Sequence, residues 1–156
     1  MSIETWKKEF YPVPAHRRMT DGQAVAHSLK KWSGLTKKNL DKHKLMIAES
    51  YITSSIIEDS GLFSRSLEIA SRTCALCLKG PCSMKCPLHR HLGHPCDSGF
   101  GTKRSSSRLE GRPYSVWILI GNAEPMIKAL KGTMKMLKLK QLLLQPSNPS
   151  PVRVIR

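Results

Sequence analysis

The segment CALCLKGPCSMKCPLHRHLGHPC (residues 74–96) holds all five cysteines of the chain and three of its six histidines. Two cysteines separated by two residues form a tight turn that points both thiolates at one ion, and a second pair completes a tetrahedron. Prolines and glycines between the cysteines supply the turns that such a knot needs. The segment therefore predicts an irregular metal knuckle that staples a small fold.

The metal that this pattern favours is Zn²⁺, which structural sites hold with four cysteine or histidine ligands. No histidine is predicted as a ligand, although His94 stands beside Pro95 and Cys96 and is the nearest substitute. The predicted ligands are four cysteines, with the fifth as an alternative: Cys74, Cys77, Cys86 and Cys96, with Cys82 in reserve.

An iron–sulfur cluster is the alternative cofactor. The run that ends in Cys86-Pro87 differs from the bacterial ferredoxin pattern C-x2-C-x2-C-x3-C-P only in its longer middle gap. A catalytic interpretation, with a redox CxxC or a cysteine nucleophile beside His89 or His91, has no supporting motif. The sequence contains no H-E-x-x-H, no phosphate-binding P-loop, no G-x-S-x-G and no deaminase signature, so no catalytic residue is predicted.

The charge of the chain is strongly positive, with 26 Lys and Arg against 11 Asp and Glu, a net +15. The excess is +5 in residues 1–50 (10 basic, 5 acidic), +1 in 51–100 (5 and 4) and +9 in 101–156 (11 and 2). Basic ends favour polyanionic partners, namely nucleic acid, an anionic membrane surface or an acidic protein, although a lysine-rich solvated surface needs no partner. The predicted phosphate contacts are Lys30, Lys31, Lys37, Lys38, Lys103, Arg104, Arg108 and Arg112.

The apolar runs of the chain are short. Crossing a bilayer takes roughly 18 apolar residues, and the longest strong run covers only Val116 to Ile120. The start of the chain, MSIETWKKEF, carries charges where a signal peptide is apolar. We therefore expect a cytoplasmic protein without a transmembrane segment, in a compartment where neighbouring cysteines bind metals more often than they form disulfides.

Three parts of the chain are distinguished by composition. Residues 1–20 predict an extended arm, because Pro12 and Pro14 bias the residues before them away from a helix. Residues 21–144 form one metal-stapled domain that contains the cysteine-rich knot, and the proline- and serine-rich residues 145–156 predict a disordered tail.

The domain is predicted to be small, α+β and mainly α-helical, with a short β-hairpin. Caps and apolar spacing predict helices over 21–32 and 36–43 and a long helix after Asn122. YITSSII and SLEIAS predict two strands joined by an EDSG turn, with a helix through ESYITSSIIEDS as the alternative. VWILI fits either a short helix between Pro113 and Gly121 or a buried strand. In the last helix a lysine stripe runs beside an apolar stripe.

Several of these segments resemble small cysteine-rich proteins that tailed bacteriophages and prophages encode. The resemblance rests on EFYPVPA, HSLKKWSGL, CALC followed by CPL, and PYSVWILIGNAEPMIKAL, and it covers roughly Trp6 to Leu130 with gaps. The lysine-rich extension after Leu130 and the tail depart from the family pattern. The resemblance implies an accessory phage product in the bacterial host cytoplasm, and it implies no particular activity.

Three classes of function follow from these features. The first is a basic zinc-binding accessory protein that binds nucleic acid through its Lys and Arg clusters. The second is a protein-interaction factor that modulates a host or defence protein, docking through the last helix. The third is an enzyme, for which the sequence offers no constellation of residues.

Overall fold

The computed structural model describes residues 2–49, 54–58, 65–69, 71–80, 82, 85–97 and 112–144. These residues are mostly helical and include a small three-stranded antiparallel sheet, which confirms the predicted α+β class. The elements in chain order are α1 (Ile3–Phe10), α2 (Asp21–Ser33), α3 (Lys37–His43), β1 (Leu45–Glu49), β2 (Ser54–Glu58), β3 (Ser66–Glu68), a 3-10 turn (Ser71–Thr73), α4 (Ala75–Leu78), α5 (Pro87–Leu92), α6 (Pro113–Ile120) and α7 (Glu124–Leu144).

The prediction of an extended arm over residues 1–20 is wrong, because its first half is helix α1. Ser2 caps this helix by exchanging hydrogen bonds with Thr5, so two backbone N–H groups gain partners at the helix start. Ile3 and Trp6 are buried in the same core as the rest of the chain. The prolines at 12 and 14 follow the end of the helix and restrict only the residues next to them.

Helices α2 and α3 agree with the sequence prediction. Thr20 caps α2 through a reciprocal pair of hydrogen bonds with Gln23, and Gly34 follows its last residue. Thr36 occupies the N-cap position of α3, although its side chain makes no capping hydrogen bond. Lys44 ends α3 in the left-handed conformation, with φ of 54°, and turns the chain directly into the sheet.

Three tryptophans form the centre of the core. Trp6 and Trp117 have no exposed surface, and Trp32 is 3% exposed. The rings of Trp32 and Trp117 meet edge to face with centroids 5.2 Å apart. The indole N–H groups of Trp6 and Trp117 donate to the carbonyl oxygens of Gly34 (2.8 Å) and Leu35 (3.3 Å). The loop after α2 is thereby fixed from two sides.

The sheet has the strand order β1-β2-β3, with both pairs antiparallel. The pairing of β2 with β3 confirms the predicted hairpin and excludes the alternative helix over residues 54–58, while the EDSG turn lies outside the described residues. Strand β1 was not predicted, because its sequence, LMIAE, does not alternate clearly between apolar and polar residues. Among its described side chains only Leu45 is buried. Ile56 pairs with Ile47 on one side and Leu67 on the other.

Helices α6 and α7 complete the fold. VWILI belongs to helix α6, which begins at Pro113 and is followed by Gly121 at φ 68°, a left-handed conformation that glycine adopts without strain. Helix α7 packs on α2, α5 and α6. At Gly132 of α7 an added Cβ atom would collide with the His91 ring of α5. The predicted tail, 145–156, lies outside the described residues.

Candidate metal centre

Two short helices position three of the cysteines. Cys74 is the N-cap of α4, and Cys77 lies within that helix. Cys86 is the N-cap of α5, whose first residue is a proline. The helices are anchored to the core by the buried side chains of Leu76 and Leu88. Each of these three cysteines therefore lies at or near the start of a helix that a buried leucine attaches to the core.

Cys96 is held by the beginning of α6. The backbone N–H of Tyr114 donates to the carbonyl oxygen of Cys96 at 2.9 Å. The next residue, Asp97, accepts a hydrogen bond from the Ser115 hydroxyl (2.9 Å), and its carbonyl oxygen accepts one from the Arg112 guanidinium (3.0 Å). These contacts attach Cys96, the last cysteine of the segment, to the start of helix α6.

The first sulfur pair consists of Cys74 and Cys77. The Cys77 thiol hydrogen-bonds to Cys74 and lowers the pKa of Cys74 to about 5, against the effect of burial and with help from the nearby Lys31 ammonium. The same hydrogen bond, together with burial, raises the pKa of Cys77 well above that of an ordinary thiol. The two thiols are thus coupled through one hydrogen bond.

The second sulfur pair consists of Cys82 and Cys96. The hydrogen bond from Cys96 lowers the pKa of Cys82 to about 5, and a hydrogen bond with His89 acts in the same direction. The pKa of Cys96 is raised by its hydrogen bond to Cys82 and by burial. The Nδ1 atom of His89 is buried and has no hydrogen-bond partner within the described part of the chain. An imidazole therefore stands directly beside the second pair.

Cys86 lies close enough to both pairs to interact with them electrostatically. Its pKa is raised mainly by burial, and the charges of Cys82 and Cys74 raise it further. Backbone N–H groups at the start of α5 oppose this effect by stabilising the thiolate. All five cysteines are free thiols, and the structure gathers them into one neighbourhood.

Lys31 is the cation of this neighbourhood. Its side chain, in the last turn of α2, is 1% exposed, and its Nζ donates to the carbonyl oxygen of Thr73 at 2.9 Å. Burial lowers the pKa of Lys31, and electrostatic attraction to Cys74, Cys77 and Cys96 opposes that shift. No carboxylate among the described residues forms an ion pair with it. A buried ammonium therefore faces cysteines where a carboxylate would normally stand.

Asp21 ties the cysteine-rich segment to α2. Its two carboxylate oxygens contact Lys79 Nζ (3.1 Å) and Arg90 Nη2 (2.8 Å), which follow α4 and belong to α5 respectively. The Lys79 ammonium also donates to the carbonyl oxygen of Met19 at 2.7 Å. One carboxylate at the start of α2 thus holds both helices of the segment.

In residues 2–49, 54–58, 65–69, 71–80, 82, 85–97 and 112–144, no group of three or more His, Cys, Asp or Glu side chains is arranged to hold a metal ion. The sulfur atoms are organised as two hydrogen-bonded pairs with Cys86 nearby. The predicted ligands Cys74, Cys77, Cys86 and Cys96, and the alternative Cys82, therefore remain a prediction, as do zinc and the iron–sulfur cluster.

The predicted phosphate contacts have different environments. Lys30 and Lys38 are exposed, and Lys37 is exposed but pairs with Asp41 at 2.8 Å. The prediction for Lys31 is wrong, because that side chain is buried against the cysteines. Arg112 is half-buried and donates to backbone oxygen. The other three, Lys103, Arg104 and Arg108, lie outside the described residues.

Sequence reasoning missed one member of this cluster, Lys31, and considered His89 beside the cysteines without singling it out from His91 and His94. Lys31 follows the buried residues Ala24 and Ser28 at helical spacing and precedes buried Leu35. This period of three and four residues places Lys31 on the core side of α2. His89 lies in the first turn or two of a proline-initiated helix that starts at Cys86, and a helix here brings it back over the cysteines.

Comparison of the chain with protein-family models, with curated proteins and with solved structures returned no match. Of the helices that the structure describes, none is long and apolar enough to span a membrane.

Proposed function

We propose that the protein is a small basic zinc-binding protein in which the cysteine-rich segment holds one structural Zn²⁺. Cys74, Cys77 and Cys96 are the three ligands that face Lys31, and Cys86 is the fourth, with Cys82 as the alternative. The observation that carries this proposal is the burial of Lys31 beside cysteines without a carboxylate partner among the described residues.

The charge of the site explains why this observation matters. A buried ammonium is costly unless an opposite charge compensates it. Zn²⁺ with four thiolates carries a net charge of 2 − 4 = −2, since bound cysteines are deprotonated. Lys31 compensates half of that charge from the core side, where solvent does not reach. A neutral Cys2His2 site would leave Lys31 without a counter-charge, which favours a ligand set with at least three cysteines.

The experiment is metal analysis of the purified protein together with a pair of lysine variants. We expect one zinc per chain and a Lys31→Met variant that binds zinc at least about tenfold more weakly, a loss typical for groups surrounding metal ligands. Lys30→Met is the matched control, because Lys30 is the neighbouring residue and is exposed. Equal zinc affinity in both variants would overturn the role of Lys31. Iron and acid-labile sulfide in place of zinc would favour the cluster instead.

We further propose that the zinc-stapled protein is an accessory factor, of the kind that phages encode, that binds nucleic acid through its exposed lysines. The support is the charge of +15 together with the exposure of Lys30, Lys38 and the four lysines of the α7 stripe, Lys128, Lys131, Lys135 and Lys138. Binding of this kind depends on phosphate contacts, so it is weakly specific and falls steeply with salt.

A mobility-shift assay across a salt series, with duplex and single-stranded DNA and RNA, tests this second part. Charge reversal at Lys30 and Lys38 should lower the salt dependence by roughly one unit of the log–log slope for each phosphate that the variant no longer neutralises. Absence of any complex at low salt and micromolar protein would exclude nucleic acid as the partner. The search would then turn to an acidic host or defence protein, by pull-down from a host lysate.

A further inference from the structure

The C-terminal end of α7 is exposed and does not pack on the core that the structure describes. The buried residues of this helix end at Thr133, and Met134 and Leu137 still pack against the core from half-buried positions. Every residue from Lys138 to Leu144 is exposed. At 1.5 Å per residue, these seven residues extend about 10 Å beyond the part of the helix that packs on the core.

This projecting end, which we call the α7 tip (residues 138–144), is rich in exposed leucine. Leu139, Leu142, Leu143 and Leu144 are 58%, 65%, 78% and 72% exposed. At 100° per residue, the first three lie on the face opposite the core-packing Leu137, while Leu144 lies near the side of Leu137. The α7 tip therefore presents one leucine face, about 100° wide, with Lys138 and Lys140 on either side of it, and the described part of the core does not cover that face.

Lysines line one side of α7 behind the α7 tip and stand on both sides of its leucine face. Five of them are exposed: Lys128, Lys131, Lys135, Lys138 and Lys140. Between Pro125 and Leu144 the sequence contains no Asp or Glu. We call these five lysines the lysine collar; no acidic residue of the same helix segment compensates their charge. A partner that covers the leucines therefore also meets this positive charge.

We propose that the α7 tip inserts into the headgroup region of an anionic lipid bilayer. A leucine face with lysine on both of its sides is the arrangement of a helix end that lies in the headgroup region of an anionic bilayer, where the lysines on either side reach phosphates. The lysine collar meets lipid phosphates at the height where the leucines reach the acyl chains, and long lysine side chains extend toward that interface. Self-association through the α7 tip would instead bring two lysine collars together. The proposal does not depend on the cysteine cluster.

Co-sedimentation of the full-length protein with lipid vesicles tests the proposal. We expect binding to phosphatidylcholine vesicles that contain phosphatidylglycerol, weak binding to pure phosphatidylcholine, and weakening by salt. Replacing Leu139, Leu142 and Leu143 with Gln should lower the partition coefficient roughly tenfold or more. Replacing Lys135, Lys138 and Lys140 with Gln should lower it roughly 100-fold.

A matched control removes three exposed apolar side chains elsewhere, by Val13→Gln, Met46→Gln and Ile120→Gln, and should leave binding unchanged. A Leu142→Trp variant reports insertion directly, because the three native tryptophans are already buried and the new one changes its emission only when the tip enters the bilayer. Wild-type binding by the Leu-to-Gln variant, or no binding to anionic vesicles, would overturn the proposal. Leucine-dependent self-association in sedimentation, without vesicle binding, would assign the α7 tip to a second copy of the chain.

Discussion

The tryptophan core and the cysteine-rich segment are stabilised in different ways. Around Trp6, Trp32 and Trp117, helices α1, α2 and α6 bury large side chains completely, and indole N–H groups fix the loop at Gly34 and Leu35. In residues 74–97 the helices are only four and six residues long, and their cysteines are half-buried or exposed.

This difference indicates which part of the fold supports itself. Helices shorter than about 12 residues are marginal without tertiary support, and the cysteine-rich segment supplies only a few buried apolar side chains. Its other contacts include the sulfur pairs, Lys31, the ion pairs of Asp21 and the hydrogen bonds of Cys96 and Asp97 to the start of α6. We therefore expect the tryptophan core to depend on packing, and the cysteine-rich segment to depend on the proposed zinc.

The largest expected effect is the loss of a predicted ligand. Cys74→Ser or Cys77→Ser should abolish zinc binding and unfold residues 74–97, because structural zinc contributes folding free energy on the order of 10 kcal/mol in small peptides. Metal analysis and hydrogen exchange of the segment measure both outcomes. Cys82→Ser, at an exposed cysteine, should be milder. A Cys74→Ser protein with full zinc stoichiometry and wild-type melting temperature would contradict the assignment.

The tryptophan core should respond to a different change. Trp117→Ala should lower the free energy of unfolding by about 3–5 kcal/mol, the usual cost of removing a large buried aromatic side chain, while the folded variant keeps its zinc. Chemical denaturation and metal analysis on the same samples separate these effects. Ile120→Ala in the same helix is the control, since Ile120 is 71% exposed and should cost little. Loss of zinc from folded Trp117→Ala would show that the two regions are not independent.

The sequence was sufficient where structure is decided locally. The cap at Thr20 and Gly34 after α2 mark the two ends of that helix, and both are confirmed. Pro113 and Gly121 mark the two ends of α6, the helical one of the two alternatives that the sequence left open for VWILI. The β2–β3 hairpin was predicted for the same reason. Helix α1 was missed because Trp6 packs into a core that is built from distant segments, which local sequence does not reveal. The two prolines that follow the helix also favoured an extended prediction.

The candidate site was predicted only in part, since its charge depends on contacts between distant residues. The clustering of the cysteines was evident from spacing, but the pairing of Cys82 with Cys96 and His89 depends on how the turns fold. Lys31 was assigned to a phosphate because lysine is usually exposed. Its helical spacing with Ala24 and Ser28 was the signal that should have placed it in the core.

The attachment of the cysteine-rich segment to α2 can be weakened without touching a cysteine. Asp21→Asn removes the charge that holds Lys79 and Arg90, and should cost about 1 kcal/mol, since the carboxylate is only partly buried. Asp41→Asn is the control, because Asp41 makes a single exposed pair with Lys37. Thermal unfolding gives the stabilities, and faster hydrogen exchange in residues 74–97 of the Asp21 variant alone is the expected signature. Equal exchange in both variants would argue against this attachment.

The smallest expected effect is a pH-dependent loss of stability where Glu9 of α1 contacts Lys42 and His43 of α3. Hydrogen bonds from Lys42 and His43 lower the pKa of Glu9 below its ordinary value of 4.5, so the folded state favours the carboxylate. A group whose pKa is lowered by folding stabilises the protein fully above its unfolded-state pKa, and this contribution is lost as the pH falls through the native pKa. The difference in melting temperature between wild type and Glu9→Gln should therefore be small but present at neutral pH and disappear below pH 4.5. Glu4→Gln, whose carboxylate pairs only with Lys7 in the same helix, is the comparison variant. A Glu9→Gln difference that stays constant across this range would mean that Glu9 acts through packing rather than through its charge.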